Sequence, residues 1–569
     1  MRILLLCHGF NSLTQKLFCD LNSTGHDVSV EFDINDAVTE EAVAMFKPDV
    51  LIAPFLKRAI PASVHENLKC FVVHPGPPGD RGPNALDWAI LDDAETWGVT
   101  VLQAVAELDA GPVWASRSFA LRPASKSSLY RNEVSEAAVA AVIEALEKLE
   151  RDQSPEQITE KFSGWRPSVS QVDRQVDWLN DETETVLRKI RSADGMPGVL
   201  DEVFGKKVYF YDARPCHEAL DDTIEPGTVL MRSGPAIAIK TVDGAVWIGH
   251  VRKASKDGVK LPATRAFATQ SAALTEVSGG YRDISLKIIR DVAYLHFDFY
   301  NGAMGTDDCR RLLSVFRTAD ASDANILVLM GGRDHWSNGL NLNLIEAAES
   351  PAEESWDNIR AMDDLSEAII RTTDKWIISA VGGNAGAGGV FLARAADEVW
   401  IRSGVVLNPH YKDMGNLYGS EYWTYLLPKF TSAENARQIT QARLPMGAHE
   451  ALSLGLADRL FEEGHSAFPG AVAAAADRLA SENLTDRLCT KRKVRARDEL
   501  SKPLASYRAR ELEQMHKNFF GFDPSYHVAR YNFVRKVPKS RTPLTLAVHR
   551  AGKNKRRSQP SIFRTTSEL

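Results

Sequence analysis

Four short apolar runs, "RILLLC", "SVEF", "PDVLIAPF" and "CFVVH", recur up to His74, and the segment between the first two, "NSLTQKLFCDLNSTGH", has helical apolar spacing with a stop at Gly25. Strands alternating with helices predict a parallel sheet with covered faces, the pattern of an α/β domain. The fourth run ends abruptly. After His74 come Pro75, Gly76, Pro77, Pro78 and Gly79, which neither continue a strand nor begin a helix. His74 is therefore expected at the carboxyl end of a strand, where open α/β sheets bind ligands and an imidazole is well placed to move a proton. The turn after the first run, "CHGFNS", has a single glycine, which argues against a dinucleotide cofactor.

At 569 residues the chain exceeds what one hydrophobic core supports, so several domains are expected. A charged fraction of 25% and a net charge of -7 give no nucleic-acid footprint. No run approaches the roughly 18 apolar residues of a membrane span, and the apolar stretch in "MRILLLCHGF" is too short for a secretory signal. The six cysteines lack CxxC spacing, so neither a disulfide framework nor a metal site is expected. These features predict a cytoplasmic protein with no nucleic-acid or membrane partner.

The stretch "VVHPGPPGDRGPNALDWAILDDAETWGVTVLQAVAELDAGPVWASRSF" resembles folate-dependent formyltransferases. That family ends a strand on Asn-x-His-Pro, follows it with Arg-Gly-x-x-Pro and closes the site with Leu-Asp-x-Gly. Here these steps fall on His74-Pro75, Arg81-Gly82 and Leu108-Asp109-Ala110-Gly111, and "APFLKRAIP" is similar to the folate-side loop. The resemblance implies catalytic roles for His74 and Asp109, a 10-formyltetrahydrofolate donor, and Arg81, Gly82 and Asn84 on the donor side. Formyl transfer passes through an oxyanion and needs a proton shuttle, with a carboxylate such as Asp109 to hold the imidazole in one tautomer. One departure stands out: the family's oxyanion-stabilising asparagine is Val72. Either a group such as Asn84 substitutes for it, or the acceptor is a better nucleophile than an amine, as a thiol is.

In the second half "NILVLMGGRDHWSNGLNLNLIE" and "KWIISAVGGNAGAGGVFLARAADEVW" each run from a strand through a Gly-rich turn into a helix. Both resemble the acyl-CoA turns of the crotonase superfamily, which implies oxyanion-hole amides from Asn338 and Gly388, with Gly339 and Gly389 beside the coenzyme A thioester. The superfamily's catalytic glutamates are missing: Phe391 holds one position, and Tyr411, or His410 if the alignment slips by one, holds the other. Hydration, which needs an acid/base pair, is not expected.

The fusion, with "HYKDMGNLYGSEYWTYLLPKF" and "FFGFDPSYHVARYNFVRK", is similar to the HypX/HoxX family of [NiFe]-hydrogenase maturation proteins. The resemblance implies formyl transfer from 10-formyltetrahydrofolate to CoA, decarbonylation of formyl-CoA to carbon monoxide, catalysis by Tyr411, and hydrogenase maturation proteins as partners. An amine formyltransferase carrying a non-catalytic acyl-CoA module and a non-catalytic assembly scaffold are the competing readings. The expected layout is a Rossmann-like formyltransferase domain at 1–165, a small β-barrel subdomain at 166–275, a crotonase-like α/β domain at 280–466, a helical region at 467–548, and a basic disordered tail at 549–569.

Overall fold

The computed structural model describes residues 1–157, 164–221, 223–482 and 484–551. The chain forms two compact units. The first comprises Met1–Gly258, Pro262–Tyr281 and, from the far end of the chain, Lys539–Leu569; the second comprises Val259–Leu261 and Arg282–Pro538.

The four apolar runs of the first unit form strands Arg2–Cys7, Asp27–Phe32, Val50–Phe55 and Cys70–His74, joined by strands Thr96–Gln103 and Val113–Ala120. The sheet runs Asp27–Phe32, Arg2–Cys7, Val50–Phe55, Cys70–His74, Thr96–Gln103, Val113–Ala120. The four expected strands pair parallel with one another, and the two further strands make the sheet mixed, because they pair antiparallel with their neighbours. A nine-residue connection joins those two as a hairpin, and so short a link cannot make a parallel crossover. A second, antiparallel sheet orders Val229–Ser233, Ala236–Lys240, Ala245–Lys253, Lys206–Cys216 and Val199–Val203 behind the helix Thr183–Ala193.

Asp27–Phe32 is an edge strand, and the end of the chain covers it. Val30 N donates to Leu546 O at 3.0 Å and Phe32 N to Thr542 Oγ1 at 2.8 Å, so outward amides of the edge are satisfied. Behind them Glu31 and Ser29 are buried in contact with His549: Ser29 Oγ lies 2.6 Å from its Nδ1 and Glu31 Oε2 lies 3.0 Å from its Nε2. The expectation of a disordered basic tail is thus corrected at its start, where His549 is buried and Arg550 pairs with Glu31 and Glu41. Two acidic side chains and an open sheet edge supply partners that a free tail lacks. The rest of that tail, 552–569, lies outside the described residues.

In the second unit a six-stranded sheet runs Ile284–Ile289, Val292–Phe297, Ile326–Gly331, Trp376–Val381, Glu398–Arg402, Arg459–Phe461, parallel after its first hairpin. The two Gly-rich turns enter a smaller sheet through His335–Ser337 and Asn384–Gly386. The helix Leu504–Phe520 sends Met515 and Phe519 into the same buried core as Phe391, Tyr411 and Tyr422.

Candidate functional site

His74 is the last residue of its strand and is buried. The loop after it is pinned by Trp97 Nε1, which donates to Pro75 O at 2.8 Å, and by Thr100 Oγ1, which donates to Gly76 O at 2.8 Å. This hold folds the loop back so that Asp80, also buried, places Oδ2 2.8 Å from His74 Nε2. Gly76 is required there, since a Cβ would collide with Asp80 Oδ2 and stand 2.6 Å from His74 Nε2. Asp109 Oδ1 lies 3.6 Å from His74 Nδ1, too far for a hydrogen bond. Asp80, and not Asp109, is thus the carboxylate within hydrogen-bond distance of the imidazole, and Nδ1 is the ring nitrogen on the Asp109 side.

Arg81 and Gly82, expected on the donor side, both hold Asp109's turn. Arg81 Nη2 donates to Glu107 Oε1 at 2.5 Å and to Leu108 O at 3.2 Å, and the Gly82 amide donates to Asp109 Oδ2 at 3.1 Å. Gly82 has φ 106° and packs so closely on Arg166 O that a side chain would collide with it. Asn84 is exposed, and its Oδ1 accepts from Val169 N at 3.2 Å.

In the second unit Gly388 opens the helix Gly388–Arg394, and its amide has no acceptor among the described residues. Gly339, at φ 75°, stands beside it: a Cβ there would lie 3.4 Å from the Gly388 nitrogen. Gly389 packs against Ser337 O with no room for a side chain. The Asn338 amide, expected as the second oxyanion donor, is already engaged. It donates to Gly302 O at 2.7 Å, and Asn338 Nδ2 donates to Asn301 O at 2.8 Å. A left-handed turn at Asn301 and Gly302, φ 57° and 66°, brings these carbonyls in, so the expected pair of amide donors is corrected to the single free one of Gly388.

Tyr411 is buried, stacked on Phe391 with ring centroids 5.3 Å apart, and its hydroxyl donates to Glu421 Oε2 at 2.6 Å. Glu421 was not singled out from the sequence. It sits with φ 60° ahead of Tyr422, also at φ 60°, a left-handed pair that costs a non-glycine chain roughly 1–2 kcal/mol per residue. The carboxyl lies against Gly388, where a Cβ would collide with Glu421 Oε1. Oε1 is buried with no hydrogen-bond partner among the described residues. Burial, together with the charge of Asp363, raises the Glu421 pKa to about 8, and burial beside Glu421 drives the Tyr411 hydroxyl well above its ordinary range. Burial lowers the pKa of the neighbouring His410, and its Nδ1 has no hydrogen-bond partner among the described residues.

The described geometry agrees with comparisons to known proteins. Residues 31–146 match the formyl transferase family, 168–268 the formyl transferase C-terminal domain, and 301–537 the enoyl-CoA hydratase/isomerase family. A hydrogenase maturation factor HoxX from Bradyrhizobium diazoefficiens is 55% identical over 97% of this chain and 97% of its own. The chain belongs to the HypX/HoxX family of hydrogenase maturation factors. HypX from Aquifex aeolicus, solved in complex with tetrahydrofolic acid, superposes with a TM-score of 0.94 at 46% identity, covering 97% of this chain and 99% of that one. A methionyl-tRNA formyltransferase from Thermotoga neapolitana is 29% identical over 39% of this HypX-family chain and 71% of its own. No helix among the described residues is long and apolar enough to cross a membrane.

Proposed function

We propose that this hydrogenase maturation factor makes carbon monoxide, by transferring formyl from 10-formyltetrahydrofolate to CoA and then decarbonylating formyl-CoA. The observation that carries the reading is the buried Tyr411–Glu421 pair set against the free Gly388 amide, with Phe391 where a hydratase glutamate belongs. A free amide and an unpartnered carboxyl oxygen side by side fit the two polar needs of a formyl thioester, a donor for its carbonyl and a proton carrier.

In the first unit His74 Nδ1 takes the thiol proton as sulfur attacks the formyl carbon and returns it to the folate nitrogen as the C–N bond breaks. Asp80 fixes the ring's tautomer, and Asp109 adds negative charge beside the imidazolium. A thiol acceptor, already nucleophilic near neutral pH, suits a site with Val72 in place of an oxyanion donor.

In the second unit Glu421, near a pKa of 8, has both protonation states populated around neutrality and so works as acid and base. As carboxylate it takes the formyl C–H proton while the C–S bond breaks, and it returns that proton to the thiolate. One carbon monoxide and one thiol result, with no outside oxidant or reductant. Tyr411, which keeps its proton, orients the carboxyl, and Phe391 denies water a base. The partners would be tetrahydrofolate, CoA and the proteins that assemble the hydrogenase centre. Headspace carbon monoxide from purified protein, CoA and ¹³C-formyl-labelled 10-formyltetrahydrofolate tests this directly. Labelled carbon monoxide that requires CoA is expected; labelled formate alone, or transfer to an amine without CoA, overturns it.

A further inference from the structure

Asp363 lies on the helix Pro351–Arg371, distant in sequence from both Gly388 and Glu421, and is fully buried. Its bonds nevertheless run to the loop that carries Glu421. Ser420 Oγ lies 2.7 Å from Asp363 Oδ1 and 2.9 Å from Oδ2, and Glu421 N donates to Oδ1 at 2.9 Å. These bonds anchor the two residues on either side of the peptide where the chain turns left-handed. We propose that Asp363 is the positioning residue of this site: it fixes the Glu421 carboxyl against Gly388 and, by its like charge, decides that Glu421 carries the proton they compete for.

The surroundings leave Asp363 as the favoured anion. On its own helix and on the helix Leu504–Phe520, Arg508 Nε approaches Asp363 Oδ2 to 3.8 Å while its other nitrogens bind Asp364 and Glu367. Glu511, also on the second helix, accepts from Tyr422 N at 3.0 Å and Thr424 N at 2.8 Å, and burial beside Asp363 raises its pKa to about 8. The helix Thr306–Asp320 brings Cys309, whose thiol burial and the charges of Asp308 and Glu421 push up and keep neutral. Tyr411 completes the ring as a neutral donor. Three buried carboxyls with one nearby guanidinium cannot all ionise. Asp363, bonded by a hydroxyl and an amide, ionises first; burial still lifts it to about 6, below Glu421.

The inference rests on Glu421 being the proton carrier of carbon monoxide release, so its test needs a readout that does not depend on that reaction. Infrared titration of the full chain, with Glu421→Gln to identify its protonated-carboxyl band, follows the Glu421 proton without substrate. Asp363→Asn keeps an acceptor for Ser420 and Glu421 but removes the charge. It should lower the Glu421 midpoint by about one to three pH units, and the pH profile of carbon monoxide release from formyl-CoA should move down by the same amount. Ser420→Ala, which withdraws a bond from the Asp363 anion, should shift it the same way by less and serves if Asp363→Asn does not fold. A midpoint and profile that stay put in both variants overturn the inference, whatever the protein makes. A midpoint that shifts in a protein producing no carbon monoxide upholds Asp363's hold on Glu421 and refutes the reaction instead.

Discussion

His74 Nε2 lies 2.8 Å from Asp80 Oδ2, closer than its Nδ1 lies to Asp109, at 3.6 Å. The nearer aspartate is the one in hydrogen-bond contact with the ring, which in the proposed mechanism sets its tautomer, and the farther one stands beside the unbonded Nδ1. Asp80→Asn would offer the ring an N–H, push its proton to Nδ1 and remove the base. Loss of formyl consumption of about 10,000-fold is expected, as for the wrong tautomer in a catalytic triad. Asp109→Asn keeps the tautomer and should cost less, on the order of 100-fold. Stopped-flow or steady-state loss of 10-formyltetrahydrofolate with CoA present measures both, and equal penalties would refute the division of roles.

Gly76→Ala tests the same pair without touching either side chain. The added methyl collides with Asp80 Oδ2 and His74 Nε2, so it should abolish formyl consumption while Gly9→Ala, where a Cβ meets nothing within 4 Å, leaves it unchanged. A Gly76→Ala protein that consumes formyl donor at the ordinary rate would mean that the His74–Asp80 bond is not used.

The approach of His74 to Asp109 was legible because each stands in a motif whose turn residues give away its place. Asp80 was not, although it is six residues from His74, because the pairing depends on a loop folded back by Trp97 and Thr100 on another strand. Glu421 was hidden for a different reason. Its approach to Gly388 depends on two successive left-handed residues, neither a glycine, and on Asp363 from a distant helix, and local propensity predicts neither. Ser29 and Glu31 did leave a signal: polar residues inside the short run "DVSVEF", fully buried on an edge strand, require polar partners. Those partners come from as far as 520 positions along the chain, a distance no local pattern spans.

Glu421→Gln should stop carbon monoxide release while formyl-CoA, or formate from its hydrolysis, accumulates. Tyr411→Phe should act differently, because the hydroxyl bond stabilises the Glu421 carboxylate and its loss raises a pKa already near 8. The pH profile of carbon monoxide release then moves to higher pH, with reduced rate at neutrality. Gas-phase detection across a pH series checks this, and an unshifted Tyr411→Phe profile would sink the assignment.

The buried Glu31 makes the first unit acid-sensitive in a way that depends on the end of the chain. Burial alone would raise its pKa, but hydrogen bonds from His549, Thr542 and Arg550 outweigh burial and hold it below the ordinary glutamate value of 4.5. A carboxyl depressed on folding contributes its full stability above that ordinary value and loses it as pH falls through the lowered one. Thermal unfolding of the first unit should therefore be flat around neutrality and drop as pH falls below 4.5. His549→Ala leaves Ser29 Oγ and Glu31 Oε2 each short of a buried partner, which costs about 1–3 kcal/mol per group at neutral pH. Because the depressed Glu31 is what acid titrates away, the variant should also lose part of the acid-induced drop, so the two melting curves converge at low pH. Calorimetry of the full chain from neutral to acidic pH measures this, and a His549→Ala deficit that stays constant across the range would show that the clasp acts by packing and not through Glu31.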